Sequence, residues 1–509
     1  VTPGFHLVAL DPGTGRPIPH FGQDGILDLR QDLQPVAGSP EELDRLPIGS
    51  SSPPIVIDGV VVVGSALPSG AAPPAPTMPP GWVRGYDAET GDLLWTFQTI
   101  PRPGETGHDT WERGSWEYTG NAAVWTTLSA DVERGLVYLP VEAGTGDYYG
   151  GHRPGDNLFS QSLVAVDVRT GERVWHFQTV HHGIWDYDLP AAPILADVTV
   201  DGQLVPMVAQ LTKQGFTFVL NRATGEPVWP IEERPVPQSD VPGERTSPTQ
   251  PFPTRPPPFT RQGVDPDDLI DFTPELRAEA EAILAQLRHG PLYTPPSVVT
   301  EDGSKGTLMV PGSLGGANWP GGALDPETGL LYVQAAVDPS VIGLSHDPDV
   351  SSMDYIRSGG LSLSEGEGPR GLPLFKPPWG ILTAIDLRDG TLAWQVPNGE
   401  APDYVRDHPA LEGIEVGRTG RPDRGGLLVT RTLLFAGEGS GLNGGHGSGG
   451  NKLRAMDKST GDLLAEIELP ANQSGLPMTY MAGGRQYVVM AVGARDQPGE
   501  LVALALPPR

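Results

Sequence analysis

The stretch "LVAVDVRTGERVW" at residues 163–175 carries the pattern that decides the fold. Alternating apolar residues lead to an aspartate, a Thr-Gly pair follows, and a tryptophan lies eight residues after the aspartate. The alternation predicts a β-strand, the aspartate can accept hydrogen bonds from turn amides, and glycine suits the positive φ of such a turn. The stretch is therefore predicted to form a strand, a tight turn and a second strand.

Six further copies of the pattern recur along the chain. The copies with the tryptophan end at Trp95, Trp229 and Trp394, and the weaker copies lie around Asp11, Asp325 and Asp457. A β unit of this size cannot bury its own apolar face, so a series of such units predicts a propeller. Chance hairpins are the alternative, and seven copies argue against it. We therefore expect an all-β propeller.

Two regions depart from the β pattern. Residues 231–265 are rich in proline and predict an extended excursion. Residues 273–289 follow the rules for a helix, with Thr273 as the N-cap and Pro274 in the first turn. We expect this helix to pack on the outside of the propeller or over one face. The chain is thus predicted to be one propeller domain, residues 1–509, with a proline-rich and helical insertion at about 231–300.

The composition excludes several classes of function. The 509 residues include no cysteine, which excludes a thiolate nucleophile, a Cys-based zinc or iron–sulfur site and a covalently attached c-type haem. The formal net charge is −29, so we expect no binding to nucleic acid. No apolar run reaches the roughly 18 residues that a membrane helix needs, and no membrane span is predicted.

The repeats occur together with more specific segments. With "TVHHGIWDYDLPAAPILAD" at 179–197 and "LTKQGFTFVLNRATGEPVW" at 211–229, they resemble the pyrroloquinoline quinone (PQQ)-dependent dehydrogenases. The first of these segments, "GDYYGGHRPG" at 146–155 and "PVPQSDVPGERTSPTQPFP" at 235–253 are most similar to the branch of membrane-bound quinoprotein glucose dehydrogenases. The resemblance covers essentially the whole chain. It implies an eight-bladed propeller of four-stranded blades, with PQQ and a divalent cation, usually Ca²⁺, near the axis.

The resemblance begins part-way through the second blade of that family. The first tryptophan-docking unit is absent at residue 1, as is an upstream segment bearing His and Arg that caps the quinone in the glucose dehydrogenase branch. We therefore expect an N-terminal blade that is missing or incomplete in this sequence, and a longer natural protein.

The resemblance implies catalytic roles for two residues. Asp186 in "GIWDYD" matches the general base that takes the hydroxyl proton of an alcohol, and it is also a possible metal ligand. Lys213 in "AQLTKQGF" matches a basic residue that bonds the quinone oxygens, where negative charge develops on reduction. Asp188 is the weaker candidate for the base and is expected to be structural.

Further residues are implied to hold the cofactor and the cation. Trp125 in "TGNAAVW" matches the platform on which the flat PQQ ring stacks, and Ser65 is a candidate for binding a PQQ carboxylate. In the loop "GTGDYYGG" at 144–151, Thr145 and Asp147 are both possible calcium ligands, and the sequence does not separate them.

The sequence departs from the family at the expected third metal ligand. Family members carry Glu, or an Asp-Asn pair, where this chain has Pro68 and Ser69. Ser69 could bind the cation through its hydroxyl or through a water, and the departure puts the metal geometry in question.

Two other motifs have less specific interpretations. In "GGANWPGG" at 315–322, Asn318 could bond the quinone and Trp319 could wall the pocket, as in the alcohol dehydrogenase branch. His181 and His182 would point to opposite sides of a strand, so a shared metal ion is disfavoured. A structural role is expected for them, with one lining the substrate pocket as the alternative.

The leading hypothesis is a quinoprotein dehydrogenase that oxidises a sugar, a polyol or another alcohol, with an aldose favoured by the branch. The resemblance implies a quinone or cytochrome as electron acceptor and a periplasmic or extracellular location. The rival hypotheses are a non-catalytic propeller that serves as a binding or assembly scaffold, and a propeller that has lost its cofactor. A scaffold has no reason to keep Trp125, Asp186 and Lys213 at matching positions.

Overall fold

The computed structural model describes residues 1–2, 5–33, 49, 51–66, 70–301, 303–358, 368–440, 449–494 and 497–506, and its regular elements are mostly β-strands. The strands are β1 His6–Val8, β2 Ile26–Asp28, β3 Ile55–Ile57, β4 Val60–Val63, β5 Val83–Asp87, β6 Leu93–Phe97, β7 Ser129–Asp131, β8 Leu136–Pro140, β9 Ser162–Asp167, β10 Arg173–Gln178, β11 Ile194–Val200, β12 Gln203–Leu211, β13 Thr217–Asn221, β14 Ile231–Pro235, β15 Thr249–Pro253, β16 Ser297–Val298, β17 Thr307–Met309, β18 Gly322–Asp325, β19 Leu330–Ala336, β20 Ser340–Ser345, β21 Ile356–Arg357, β22 Gly380–Asp386, β23 Thr391–Pro397, β24 Leu427–Val429, β25 Leu433–Gly437, β26 Lys452–Asp457, β27 Leu463–Glu468, β28 Met478–Ala482, β29 Arg485–Ala494 and β30 Gln497–Leu504.

The helices are few and short. The α-helices are α1 Pro274–Leu284 and α2 Asp403–Arg406, and short 3₁₀ helices lie at Gln31–Leu33, His108–Thr110, Glu112–Glu117, Pro266–Asp268, Pro369–Gly371 and Pro409–Leu411. None of the helices in the described ranges is both long enough and apolar enough to cross a bilayer.

Most sheets are antiparallel and take their strands in chain order. In the described ranges, four fully antiparallel sheets have four strands: β3 to β6, β7 to β10, β18-β19-β22-β23, and β24 to β27. Strands β11 to β13 and β28 to β30 form three-stranded sheets, and β1 pairs with β2. Outside these sheets, β14 pairs with β15, and β20 pairs with β16, β17 and β21.

The sheets stack around their first strands. These strands contact each other in chain order, β3 with β7, β7 with β11, β11 with β18 and β18 with β24. Second and third strands such as β8 and β22 are buried along their whole length, and apolar layers fill the space between neighbouring sheets, as where Val62 and Val83 pack with Val137 and Val164. Sheets that pack face to face around their first strands form a β-propeller, and the predicted all-β propeller is confirmed.

A repeated turn such as the one at Asp167 joins the last two strands of its sheet and contacts the tryptophan of the preceding sheet. Asp167 Oδ1 accepts hydrogen bonds from the amides of Arg169 (2.9 Å) and Thr170 (3.0 Å), as the pattern predicts. The indole of Trp95, from the preceding repeat, donates to Val168 O at 2.8 Å and covers Gly171. A Cβ on Gly171 would lie 2.6 Å from this ring, and its φ is +71°, so the turn requires glycine on both counts.

The sheet of β11 to β13 deviates from the four-stranded expectation. After β13, the repeat continues only as an isolated bridge between Leu220 and Pro227. Pro227, in "GEPVW", has no amide hydrogen to donate to the ladder. The sheet that leads into the proline-rich excursion therefore has three strands.

The insertion contains the β14–β15 hairpin and α1. Thr273 caps α1 as predicted, because its Oγ1 accepts from Leu276 N at 3.2 Å. Leu276 and Leu284 are buried in an apolar cluster with residues of the 372–379 segment. The helix ends at Leu284 and not at residue 289, because the backbone of Arg288 already pairs with Gly306 and Leu308 beside β17.

Candidate active site

The loops that carry the predicted site residues lie at one end of the sheets. In an antiparallel meander, the segment that leads into the first strand and the segment that leaves the second strand meet at the same edge. Trp125 precedes β7, Asp186 precedes β11 and Asn318 precedes β18, whereas Asp147 follows β8 and Lys213 follows β12. The topology thus gathers them, and Asp186 N donates to Asp147 O at 3.2 Å.

Lys213 lies at the centre of this group. Its Nζ donates to Asp186 Oδ1 at 2.7 Å and to Asp188 Oδ2 at 3.4 Å, and the residue is buried. Burial lowers the pKa of Lys213, but the neighbouring carboxylates outweigh burial and hold the pKa above its ordinary value. Gly315 lies against the lysine stem, where a Cβ would approach to 2.6 Å. Lys213 is therefore a fixed positive charge in an enclosed place.

Three carboxyl groups, those of Asp147, Asp186 and Asp188, act on Lys213, and a fourth, that of Glu142, acts together with them. Asp188 Oδ1 accepts from Ala143 N at 2.9 Å, and Glu142 lies behind it. Burial and the neighbouring carboxylates raise the pKa of Glu142 and of Asp147 well above their ordinary values. Burial raises the pKa of Asp186 to about 7; Lys213 opposes this shift and Asp188 adds to it. A carboxyl group that titrates near neutral pH is suited to accept a proton.

Tyr148 holds the second oxygen of the Asp186 carboxylate. Its hydroxyl donates to Asp186 Oδ2 at 3.2 Å, while Lys213 occupies Oδ1. Burial, together with Asp186 and Asp147, raises the pKa of Tyr148, so the phenol stays a donor. Asp186 has a φ of +55°, a conformation that non-glycine residues seldom adopt. Sequence reasoning missed Tyr148, although it directly follows the candidate ligand Asp147.

Trp125 presents an aromatic surface that the core does not use. It is half-buried, and it belongs to none of the hydrophobic clusters in the described part of the chain. Two glycines allow neighbouring segments to pack closely against the segment that carries Trp125. A Cβ on Gly64 would lie 2.2 Å from Val124 O, and one on Gly81 would lie 2.4 Å from the Ala123 backbone. Ser65 and Trp82, the residues after these glycines, therefore lie on the segments packed next to that of Trp125.

The proline-rich excursion reaches the site through Glu244. This buried carboxylate accepts from Gly150 N at 2.5 Å and lies 2.7 Å from His182 Nε2, while His182 Nδ1 donates to Gly155 O at 2.7 Å. Burial alone would raise the pKa of Glu244, but His182, the Gly150 amide and Arg153 lower it to about 2. Glu244 thus fastens the loop of Asp147 to the segment of Asp186.

Arg153 connects the same two segments. It is fully buried and donates to Thr145 O (2.9 Å), Gly146 O (2.8 Å) and Gly183 O (2.7 Å). His181 has partners of its own, since its ring nitrogens lie 2.7 Å from Gln178 Oε1 and 3.0 Å from Glu233 Oε1. Both histidines therefore have structural partners, which agrees with the role expected for them.

Comparison with known proteins identifies the family of this chain. A family model for PQQ enzymes, described as "Glucose/ethanol/alcohol dehydrogenase, beta-propeller domain", matches residues 1–488. The chain belongs to the PQQ-dependent dehydrogenase family. Membership of this family supports an oxidoreductase and argues against the hypothesis of a non-catalytic scaffold.

Two relatives in the PQQ-dependent dehydrogenase family are about one third identical to it over the matched region. The chain is 33% identical to the glycerol dehydrogenase large subunit of Gluconobacter thailandicus, covering 99% of this chain and 68% of that protein. It is 31% identical to the quinoprotein glucose dehydrogenase of Escherichia coli K12, covering 98% of this chain and 62% of that protein. The quinohemoprotein alcohol dehydrogenase structure from Comamonas testosteroni matches with a TM-score of 0.64 at 22% identity, covering 99% of this chain and 64% of that one. The chain thus spans about two thirds of these proteins.

The residues predicted to hold the cofactor are of the chemical types that could bind PQQ. PQQ is flat and rich in acceptor oxygens, so it needs an aromatic platform and donors. Trp125 offers the platform and Lys213 a cationic donor. Within the described residues, the buried Nε1 of Trp82 has no hydrogen-bond partner, and Ser65 Oγ makes only a 3.5 Å contact with Trp82 O. These two donors are available to an acceptor-bearing ligand.

The structure distinguishes the two candidate calcium ligands of the 144–151 loop. The Thr145 hydroxyl donates to Asn121 Oδ1 at 3.2 Å and accepts from Gly120 N at 3.1 Å. The Asp147 carboxylate lies instead against Gly70 and close to Asp186. In the described ranges, no three His, Asp or Glu side chains are grouped as a preformed metal site. Ser69 and Pro68 lie outside the described residues.

Asn318 and Trp319 lie in the loop that covers Lys213. Gly316 N, in this loop, donates to Lys213 O at 2.8 Å. The side chain of Asn318 bonds within its own loop, since Nδ2 donates to Leu314 O (2.7 Å) and Oδ1 accepts from Trp319 N (2.7 Å). Trp319 is 39% exposed. The loop thus brings both residues to the site, with the Asn318 amide already engaged.

Proposed function

We propose that this protein oxidises the hydroxyl group of a sugar, a polyol or another alcohol, with PQQ as hydride acceptor. The single observation that carries the proposal is the enclosed Lys213–Asp186 pair, whose atoms lie 2.7 Å apart and whose carboxyl pKa is raised to about 7. A general base requires a carboxylate that is ionised at working pH yet basic enough to take a proton. Glucose and glycerol, named for relatives of this chain, are both within this class.

The residues divide the chemistry between them. Asp186 accepts the hydroxyl proton of the alcohol, and Tyr148 and Lys213 hold its carboxylate in place. Lys213 also places a positive charge where negative charge develops on the acceptor. Bound PQQ supplies the carbon that takes the hydride, and the alcohol leaves as a carbonyl compound after losing that hydride and one proton.

We assign the holding of PQQ to the platform and the donors around it. Trp125 would stack on the ring, Ser65 and the Trp82 indole would bond its carboxylates, and Lys213 would bond the quinone oxygens. Asn318 and Trp319 would border the same space from the loop over Lys213. The fixed segments around Trp125 support this assignment, since two close glycine contacts leave these backbones little room to move.

A divalent cation, calcium by preference, would bind to Asp147 and Asp186. Carboxylate oxygens are its preferred ligands, and a cation would offset the burial and the carboxylate repulsion that raise the pKa of Asp147. The Thr145 hydroxyl is the weaker candidate because both of its hydrogen bonds are already made. When bound, the cation acts as a Lewis acid.

Electrons would leave to a quinone or cytochrome, and the protein would work in the periplasm or outside the cell. Both statements rest on the family. The experiment that tests the proposed function is reconstitution of the full-length protein with PQQ and Ca²⁺. We expect saturable quinone binding and dye reduction with at least one compound from a panel of alcohols, polyols and sugars. Quinone binding without dye reduction by any of them would contradict the proposal.

A further inference from the structure

Arg357, beside Tyr148, forms no ion pair with any acidic side chain of the described residues. Arg357, at the end of β21, is half-buried, and its guanidinium carbon lies 5.4 Å from the centre of the Tyr148 ring. Within the described residues, no carboxylate forms an ion pair with it, although the chain has 63 acidic and only 34 basic side chains. A guanidinium that no carboxylate of the described residues pairs is suited to bind an anionic ligand.

The backbone fixes Arg357 beside the reacting groups. Its amide donates to Ala71 O at 3.0 Å, and Ala71 follows Gly70, on which the Asp147 carboxylate packs. The neighbouring Ser358 N donates to Gly343 O at 3.0 Å. Arg357 is therefore anchored by the segment of Gly70 and Ala71 and by strand β20, and the first of these also borders the candidate cation ligand.

Tyr148 links Arg357 to the candidate base. One face of its ring carries the guanidinium, and its hydroxyl donates to Asp186 Oδ2 at 3.2 Å. Asp186, Tyr148 and Arg357 thus form one continuous chain of contacts, with the guanidinium at its far end. The cation–π contact fixes the side chain but leaves its N–H donors unused by any carboxylate in the described ranges.

We infer that the preferred substrate is an alcohol that carries a carboxylate, bound by Arg357. The inference rests on the proposed dehydrogenase function and names its substrate class. A neutral polyol needs no guanidinium, whereas an anion entering beside Asp147 and Asp186 is repelled unless a cation offsets those charges. The planar fork of arginine can also bind a carboxylate with two parallel hydrogen bonds.

The test compares a sugar acid with neutral compounds of the same skeleton. The reconstituted holoenzyme is assayed with gluconate, with its neutral amide gluconamide and with glucitol. We expect a higher kcat/KM for gluconate than for gluconamide. Arg357→Gln should lower kcat/KM for gluconate by about 10- to 100-fold, mainly through KM, and leave gluconamide within about threefold. Arg357→Lys should restore part of the preference because it keeps the charge.

Two further measurements separate the alternatives. PQQ affinity, followed by tryptophan fluorescence, should not change in Arg357→Gln; a loss would show that Arg357 holds the quinone and would overturn the inference. Arg370→Gln is the matched control, since Arg370 is exposed and pairs with Glu279 on α1. Equal losses for gluconate and gluconamide, or a wild type that prefers neutral polyols, would overturn the substrate class alone. A wild type that binds PQQ but oxidises no alcohol would overturn the proposed function as well.

Discussion

Replacing Asp186 with asparagine should separate activity from stability. Asparagine keeps an oxygen for Lys213 and presents an amide NH2 group that can donate to the Tyr148 hydroxyl, but it cannot take a proton, so it removes the base with little change in shape. Loss of a general base lowers turnover by about 100- to 10,000-fold. We therefore expect Asp186→Asn to retain PQQ binding and to lose almost all dye reduction with its best substrate.

The same substitution should stabilise the metal-free protein at alkaline pH. The pKa of Asp186 is raised from 3.8 to about 7, so ionising it in the folded state at pH 8 costs up to about 4 kcal/mol. The unfolded chain loses its proton near pH 4 and the folded chain near pH 7, so this cost grows as pH rises between those values. Asparagine has no such cost, and the gain should be about 2–4 kcal/mol at pH 8 and close to zero near pH 4.

The assay is urea denaturation of chelator-treated protein at both pH values, beside dye-linked kinetics of the reconstituted enzyme. Asp131→Asn is the matched control, because Asp131 accepts from Arg222 at 2.7 Å and from Arg134 at 2.9 Å at the other end of β7. It should lose about 1.5–3 kcal/mol and keep its activity. If Asp186→Asn keeps normal turnover, or is less stable than wild type at pH 8, the assignment of the base and its electrostatics is refuted.

Four other changes have distinct expected results. Lys213→Met should lower kcat by at least about 100-fold and move the pH–rate midpoint upward, measured by dye reduction across pH, because Asp186 loses its cation. Trp125→Ala should weaken PQQ affinity by about 10- to 100-fold in fluorescence titrations while leaving the urea midpoint almost unchanged. Asp147→Asn should weaken the calcium-dependent rise in Tm, measured by scanning calorimetry at several Ca²⁺ concentrations. Glu244→Gln should lower Tm by several degrees and weaken calcium binding too, because it loosens the loops that Arg153 and Glu244 hold together.

The repeats made the architecture predictable because their information is local. The aspartate, the glycine and the tryptophan of one copy each have a defined role within the turn or against the next turn, as Trp95 over Gly171 shows. The start of α1 was equally readable, since Thr273 caps it from three residues away. Its end was not readable, because the stop comes from pairing of Arg288 with a strand that the helix sequence does not contain.

The site residues that lie in segments resembling the family could be predicted from the sequence. Those that reach the site through contacts between distant parts of the chain could not. Asp186 and Lys213 stand in recognisable segments, and the structure brings them to 2.7 Å. Tyr148, Glu244 and Arg357 act across long separations in sequence, and no local pattern distinguishes them from surface residues. Their roles follow from burial and from which loops the propeller places at one end.

A single-turnover measurement of the quinone absorbance under anaerobic conditions tests directly whether Asp186 is the general base. Protein loaded with PQQ and Ca²⁺ is mixed with its best alcohol substrate in a stopped-flow instrument, and wild type is compared with Asp186→Asn. We expect rapid reduction of the bound quinone in the wild type, with a rate that rises with pH up to about 7, and a rate at least about 100-fold lower in the variant at equal quinone occupancy. Equal rates in the two proteins, or no quinone bound by the wild type, would contradict this assignment.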